Sequence, residues 1–218
     1  YPDPLQVALL AKSSGADSIT IHLREDRRHI RDYDLINIIN KLKIPINLEI
    51  APTNEMLKIA IRHKPNFVCI VPEKRSEITT EGGLNLSKKT QHLKKIILRL
   101  KKNKIRVALF IEPKLSDVIA SKKLKADCIE LHTGKFCNLI NKKKNYKLAY
   151  KQIESAAALG NKVGLEVHAG HGLTYNSTKI ISKIKYINEY NIGHFIISEA
   201  IFFGLKKTIK TFIKIINK

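Results

Sequence analysis

The chain has 218 residues and a hydrophobic content of 44%, which suits one sizeable globular domain. No apolar run approaches the ~20 residues that a membrane span needs, which argues against a membrane-spanning protein. The formal net charge of +21 raises nucleic-acid binding as a hypothesis. The lysines are dispersed, however, and only 6% of the residues are aromatic, so the sequence shows no basic stripe with stacking aromatics.

Two explanations of the basic charge stay open. The lysines accompany many isoleucines and asparagines, a composition that drift towards AT-rich codons produces, and they would then form a solvated surface. Alternatively, some of them form a functional basic patch. Under either explanation the charge attracts phosphorylated substrates.

The three cysteines are Cys69, Cys128 and Cys137, an odd number without the spacing of a metal site. Cys69 and Cys128 lie inside apolar runs. We therefore expect buried free thiols in a protein of the reducing cytoplasm, and no metal.

Helical and strand patterns alternate along the first half of the chain. Asp3 can cap a helix that Pro4 begins and Gly15 ends. The patterns that follow predict a strand over 17–23, a helix over 32–42, a strand over 45–50, a helix from Thr53 to about His63, and a strand over 66–71. Residues 72–86 form a long, charged connection with two glycines, which is typical of an active-site lid.

The alternation continues to the end of the chain. The patterns predict a helix over 87–102, a strand over 105–111, a helix capped by Ser116, a strand over 126–131, a helix over 146–159, a strand over 162–167 and a helix over 174–183. The last strand is either 190–193 or 195–198. Residues 199–216 form one helix, or a short helix and a longer one.

A helix followed by seven strand–helix units predicts a parallel sheet wrapped in helices, in one domain over 1–218. We expect a (β/α)₈ TIM barrel. The first helix has no strand before it, so the count suggests that a first strand is missing in front of Tyr1. An open doubly wound sheet is the alternative, but no glycine-rich dinucleotide fingerprint follows any strand.

Polar residues recur where the predicted strands end, which is the catalytic face of a TIM barrel. They are His22, Arg24, Glu49, Glu73, Glu112, Glu130, His132, His171, Gly193 and His194. In the stretch 169–174 (AGHGLT), glycines flank His171, so that backbone N–H groups can approach a ligand beside the imidazole. The alternative is an ordinary turn that needs positive φ, with His171 merely exposed.

Several long motifs carry a resemblance to a known family. They include HLREDRRHI at 22–30, NLE at 47–49, HTG at 132–134, AGHGLTY at 169–175 and NIGH at 191–194. In this order along the whole chain they resemble pyridoxine 5'-phosphate synthase.

The resemblance implies a TIM-barrel transferase of vitamin B6 biosynthesis that needs neither metal nor organic cofactor. It would condense 1-deoxy-D-xylulose 5-phosphate with 3-amino-2-oxopropyl phosphate into pyridoxine 5'-phosphate, releasing phosphate and water. It also implies a homo-oligomer, an octamer. By motif, the proton acceptor is His22, the second acid/base Glu49 and the proton donor His171; the deoxyxylulose phosphate is held by Arg24, His29 and Thr79, and the aminoketone phosphate by Gly172, Gly193 and His194.

Two departures from the family pattern stand out. An Asn-x-Asp-His motif on the first strand has no counterpart here, so we expect the chain as given to be inactive or nearly so. His168 stands where asparagine is usual, and could alter His171. The alternatives to an active synthase are an inactive barrel remnant of the family and, from charge alone, a basic nucleic-acid-binding protein.

Overall fold

The computed structural model of the protein describes residues 2–73, 82–87 and 90–217. The strands in these ranges are β1 (Ile19–His22), β2 (Ile46–Ile50), β3 (Phe67–Ile70), β4 (Arg106–Ile111), β5 (Cys128–His132), β6 (Glu166–Gly170) and β7 (Glu189–Asn191). The helices are α1 (Pro4–Ser13), α2 (Asp32–Lys41), α3 (Asn54–His63), α4 (Thr90–Lys102), α5 (Leu115–Lys123), α6 (Gly134–Asn141), α7 (Lys147–Lys162), α8 (Tyr175–Ile181), α9 (His194–Phe203) and α10 (Leu205–Ile216). None of these helices is long and apolar enough to cross a membrane.

The seven strands form one parallel sheet in chain order, each hydrogen-bonded to the next. The sheet curves until its first and last strands approach each other. Their approach is shown by a hydrogen bond that Thr20 Oγ1 on β1 donates to Asn191 Oδ1 on β7 at 2.7 Å. The result is a nearly closed barrel with helices outside, so the predicted TIM-barrel fold is confirmed. The predicted further strand in front of Tyr1 lies outside this chain and stays a prediction.

Side chains of the barrel alternate between two environments, as the pleat of a strand requires. One set, including Leu48, Ile50 and Leu109, is buried with the surrounding helices. A smaller apolar cluster of Cys69, Val71, Ala108, Phe110 and Cys128 packs separately. All three cysteines are free and buried, as predicted.

Three helices begin directly after a residue whose side chain caps the helix N-terminus. Asp3 accepts a hydrogen bond from the Leu5 N–H at 2.9 Å, and Pro4 begins α1. Thr53 caps α3 and Thr174 caps α8. The predicted cap at Ser116 is wrong, because α5 begins at Leu115, one residue earlier, and its N-cap residue Lys114 makes no side-chain capping bond.

Three features of the second half differ from the sequence prediction. Helix α7 extends to Lys162, so β6 begins only at Glu166 and includes Ala169 and Gly170. Helix α6 was not predicted at all. Of the two alternatives for the last strand, 190–193 overlaps β7, whereas 195–198 lies in α9 and is wrong. Helices α9 and α10 are separate because Gly204 between them has φ +78°.

Candidate active site

The carboxyl ends of β1, β2 and β3 bring together an imidazole and two carboxyl groups. His22 and Glu49 are register partners on β1 and β2, and His22 Nδ1 lies 3.6 Å from Glu49 Oε2. On the other side of the ring, His22 Nε2 lies 3.5 Å from Glu73 Oε2. The imidazole therefore stands between two groups that can exchange protons with it.

Burial shifts the pKa values of His22 and Glu49 in the directions that favour the neutral form of each group. Burial, together with the nearby charges of Arg24 and His29, lowers the pKa of His22 to about 4. It raises the pKa of Glu49 to about 7. Near neutral pH the imidazole is therefore uncharged, and Glu49 is shared between its protonated and ionised forms.

The loop after β1 places Arg24 beside the same cluster. Arg24 is buried, and its Nε lies 3.6 Å from Asp26 Oδ1 and 3.9 Å from Glu73 Oε1. Glu73 also accepts a hydrogen bond from the Glu25 N–H at 2.9 Å. Glu73 thereby fixes the start of the loop that carries Arg24 and the exposed His29.

Part of the predicted 72–86 connection lies outside the described residues. That part is 74–81, and it includes the predicted substrate-binding residue Thr79. Gly83, which is described, donates its N–H to Glu112 Oε1 at 2.9 Å, and Leu84 donates to the Phe110 carbonyl at 2.8 Å. A Cβ at Gly83 would lie 2.3 Å from the Glu112 nitrogen, so this close approach to the end of β4 requires glycine.

A second cluster forms where β5 and β6 end. The rings of His132 and His171 meet edge to face with centroids 4.8 Å apart, and His132 Nδ1 lies 3.0 Å from Glu112 Oε1. His171 is half-buried, so it is not merely exposed. Burial lowers its pKa, and the neighbouring His132 and His194 lower it further.

The backbone of His171 has φ +76°, a conformation that costs a non-glycine residue about 1–3 kcal/mol. The Thr133 hydroxyl holds it in place: Oγ1 lies 2.8 Å from the Gly170 carbonyl oxygen and 2.6 Å from that of His171. Such strain is concentrated at functional sites in proteins.

The glycines predicted to bind phosphate lie at turns next to this cluster. Gly172 has φ +79°, and a Cβ there would come within 3.3 Å of Cys137 Cβ. Gly193 precedes α9 and His194 begins it. A Cβ at Gly193 would meet no described atom within 4 Å. The start of α9 is thus open on a side where backbone N–H groups favour anions.

Glu130 is an acidic residue inside the barrel that the predicted site left out. It is buried, and its Oε2 accepts a hydrogen bond from Asn191 Nδ2 at 2.9 Å. A Cβ on Gly170 would lie only 2.1 Å from Glu130 Oε1, so this glycine makes room for the acid. Burial raises the pKa of Glu130 well above its usual value, and the charges of Glu49 and Glu189 add to the shift. A neutral carboxyl of this kind can donate a hydrogen bond.

His168 belongs to a separate cluster nearer the start of β6. Its Nε2 lies 2.8 Å from Glu166 Oε1 and its Nδ1 lies 3.6 Å from Glu189 Oε1. Cys128, Glu166 and His168 are close enough to suggest a metal site. Arg106 already supplies a cation there, since its Nη2 lies 2.8 Å from Glu166 Oε2 and 3.4 Å from Cys128 Sγ. The cluster is therefore an ion-pair network.

Comparison with known proteins agrees with this arrangement. The sequence model of the family "Pyridoxal phosphate biosynthesis protein PdxJ" matches residues 1–218. A pyridoxine 5'-phosphate synthase of Pelagibacter ubique is 55% identical over 218 residues, covering 100% of this chain and 91% of that protein. The enzyme of the same name from Zymomonas mobilis is 52% identical over 210 residues, covering 96% of this chain and 81% of that protein.

Solved structures with a similar fold are much more distant in sequence. N-(5'-phosphoribosyl)anthranilate isomerase from Pyrococcus furiosus superposes with a TM-score of 0.67 at 13% identity, covering 99% of this chain and 94% of that one. A structure described as native KDPGal superposes with a TM-score of 0.69 at 11% identity, covering 100% of this chain and 90% of that one. These similarities concern the barrel alone. The match over the whole chain and the curated relatives show that this protein belongs to the PdxJ family of pyridoxine 5'-phosphate synthases.

Proposed function

We propose that this chain condenses 1-deoxy-D-xylulose 5-phosphate with 3-amino-2-oxopropyl phosphate, forming pyridoxine 5'-phosphate, inorganic phosphate and water. The observation that carries the proposal is the His22–Glu49 pair, whose reactive atoms are 3.6 Å apart on adjacent strand ends. The condensation is a series of proton transfers: an amine adds to a ketone, water and phosphate are eliminated, and a carbon nucleophile closes the ring. Side chains that exchange protons near neutral pH suit each of these steps.

In this mechanism His22 accepts protons, and Glu49 relays them as a second acid/base. His171 donates a proton from the opposite cluster to a departing oxygen. The neutral carboxyl of Glu130 supports the same chemistry, because it can donate a hydrogen bond to an oxygen that becomes negative during the reaction. His22, Glu49 and His171 act from strand ends or a turn of the barrel, and Glu130 acts from inside the barrel.

The two phosphate groups are assigned to different ends of the site. Arg24, His29 and Thr79 bind the deoxyxylulose phosphate. Gly172, Gly193 and His194 bind the aminoketone phosphate, and the open N-terminus of α9 supports that assignment.

We also infer that the protein works as a homo-oligomer in the cytoplasm, with the octamer implied by the resemblance. Helix α9 supports self-association, since Ile197, Ile201, Phe202 and Phe203 on it are exposed by 54%, 78%, 79% and 53%. The free buried cysteines agree with a reducing compartment.

The proposal is tested by measuring pyridoxine 5'-phosphate formation from the two phosphates with the purified protein that carries the family's first strand in front of Tyr1. This protein is the wild type with which every variant is compared. His22→Asn keeps the size and part of the hydrogen bonding but cannot transfer the proton, so turnover should fall by ~10²-fold or more. His92→Asn is the matched control, because His92 is exposed on α4 and its Nε2 lies 3.1 Å from the Pro52 carbonyl oxygen, away from the candidate site. Near-normal turnover in His22→Asn would refute the assignment of His22, and no product from the wild type would refute the function.

A further inference from the structure

A surface cleft of about 520 Å³ opens beside His171, on the side of α6. Small-molecule sites commonly measure roughly 300–1,000 Å³, so the cleft is large enough for a metabolite or an inorganic anion. Its lining includes His132, His171, Gly134 and three lysines, Lys135, Lys142 and Lys144. The cleft therefore shares two imidazoles with the candidate active site.

The described lining of this cleft contains lysines but no acidic side chain. All three are exposed, none of the described lining residues is Asp or Glu, and none of the three pairs with a carboxylate in the described parts of the chain. Three unpaired cations around one concave surface make a positive potential that attracts anions.

A second cleft, of about 480 Å³, provides a contrast within the same molecule. It is also lined by three lysines, Lys101, Lys122 and Lys125, but it contains Asp127 and Glu166 as well. Lys101 Nζ lies 2.6 Å from Asp127 Oδ1, and Lys122 Nζ donates to the Gly164 carbonyl at 3.2 Å. The positive charges of the second cleft are therefore largely paired with acceptors. The two clefts have the same number of lysines, and they differ in whether those lysines have partners among the described residues.

The wall of the first cleft adds unpaired hydrogen-bond donors. Helix α6 begins at Gly134, and the Thr133 side chain does not cap it, because that hydroxyl is bound to the Gly170 and His171 carbonyls. Among the described residues, no acceptor pairs with the N–H groups of Gly134, Lys135 or Phe136. The free N–H groups of a helix start carry partial positive charge.

Gly134 lets this helix start meet the two imidazoles. A Cβ there would lie 2.6 Å from His132 Nε2 and 3.0 Å from His171 Cδ2. His132 Nε2 is itself buried without a hydrogen-bond partner in the described structure. Lysines, a helix start and an unpartnered imidazole nitrogen thus converge on one space.

We propose that this cleft is an additional phosphate-binding subsite beside the active site. A phosphate group matches both the cations and the helix start. The source of the phosphate rests on the proposed function, since that reaction consumes two phosphate monoesters and releases inorganic phosphate next to His171. Binding itself does not require turnover.

Calorimetric titration of the full chain with inorganic phosphate at low ionic strength tests the subsite. Lys142→Gln/Lys144→Gln removes two cations from the first cleft, and Lys122→Gln/Lys125→Gln removes two from the second, so net charge changes equally. We expect affinity to fall about tenfold or more in the first variant and to stay near the wild-type value in the control. Equal losses in both variants, or no saturable binding to the wild type, would overturn the subsite.

Steady-state kinetics of the same proteins identify the source of the phosphate. If the subsite receives the released product, inhibition by inorganic phosphate weakens in Lys142→Gln/Lys144→Gln while both KM values stay unchanged. If it captures an incoming ester, the KM of that ester rises instead. A wild-type protein that binds phosphate in the cleft but forms no product would refute the proposed function and leave the subsite intact.

Discussion

His22 and Glu49 illustrate how burial prepares single residues for proton transfer. Both side chains lie in a poorly hydrated part of the barrel, where the charged form of each is disfavoured. The pKa of the imidazole consequently falls to about 4, and that of the carboxyl rises to about 7. Near neutral pH the imidazole is therefore uncharged and can accept a proton from a substrate, and Glu49 can either donate or accept one.

The raised pKa of Glu49 makes stability depend on pH in a defined direction. The folded chain binds the carboxyl proton more tightly than the unfolded chain, so this stabilising contribution is complete below a pH of about 4.5 and is lost as the pH rises through about 7. Glu49→Gln cannot ionise. Its melting temperature should therefore rise relative to wild type between these two pH values, by ~2–4 °C for each kcal/mol involved.

Differential scanning calorimetry across this pH range measures the effect. Glu154→Gln, on the exposed side of α7, is the matched control and should show a constant difference from wild type. A constant difference for Glu49→Gln as well would mean that its carboxyl is not destabilised by burial.

Sequence reasoning found His22, Glu49 and His171 through their motifs, but it did not assign a role to Glu130. The letters ADCIEL at 126–131 predict a strand without indicating that its acid is accommodated inside the barrel. That placement depends on Gly170 of the neighbouring strand, which leaves the necessary space. A contact between residues so far apart in the chain cannot be read from local pattern.

The elements were predictable where local chemistry decides them. Asp3 and Thr53 cap their helices as the sequence indicates. Helix α6 was missed because it opens with glycine, a poor helix former, and has no side-chain cap. Its N-terminal end instead packs against His132 and His171, a tertiary contact that outweighs propensity.

The contact between the start of α6 and the end of β6 leads to a prediction about Thr133. Thr133→Val keeps the shape but removes the hydroxyl that binds the Gly170 and His171 carbonyls. Losing a hydrogen bond in a buried setting costs about 0.5–1.5 kcal/mol, or more when an acceptor stays unpaired. We expect a lower melting temperature and a reduced kcat, because His171 loses the support of its unusual φ.

Thr133→Ser is the control, since it retains the hydroxyl. Thermal unfolding and turnover are measured for both variants. If Thr133→Val matched Thr133→Ser in both measurements, the hydroxyl would have no part in holding His171.

At the scale of the whole molecule, the order of strands in the barrel followed from the alternation of helical and strand patterns in the sequence. Self-association depends instead on which side chains the folded chain leaves exposed. One of the two alternatives for the last strand placed it over 195–198, inside helix α9. In the structure, Ile201 and Phe202 are instead exposed by 78% and 79%. Aromatic and aliphatic side chains left in water in this way favour burial against another molecule.

We expect Ile201→Ser/Phe202→Ser to reduce the number of copies in the assembly, as measured by light scattering after gel filtration. Leu115→Ser/Leu148→Ser is the control, because these two leucines are exposed by 51% and 69% on other helices. An unchanged mass for the α9 variant would place the interface elsewhere, and a monomeric wild type would contradict the oligomer.

The close fit of Gly170 and Glu130 also restricts how this barrel can change over generations. A Cβ at position 170 would lie 2.1 Å from Glu130 Oε1 and 3.2 Å from Asn191 Cβ, so a larger residue there must displace the acid. A smaller residue at position 130 would leave the Asn191 amide without the oxygen that it now binds. Replacing either residue alone therefore displaces the acid or removes the acceptor of the Asn191 amide. The two positions are expected to accept substitution together more readily than either one alone.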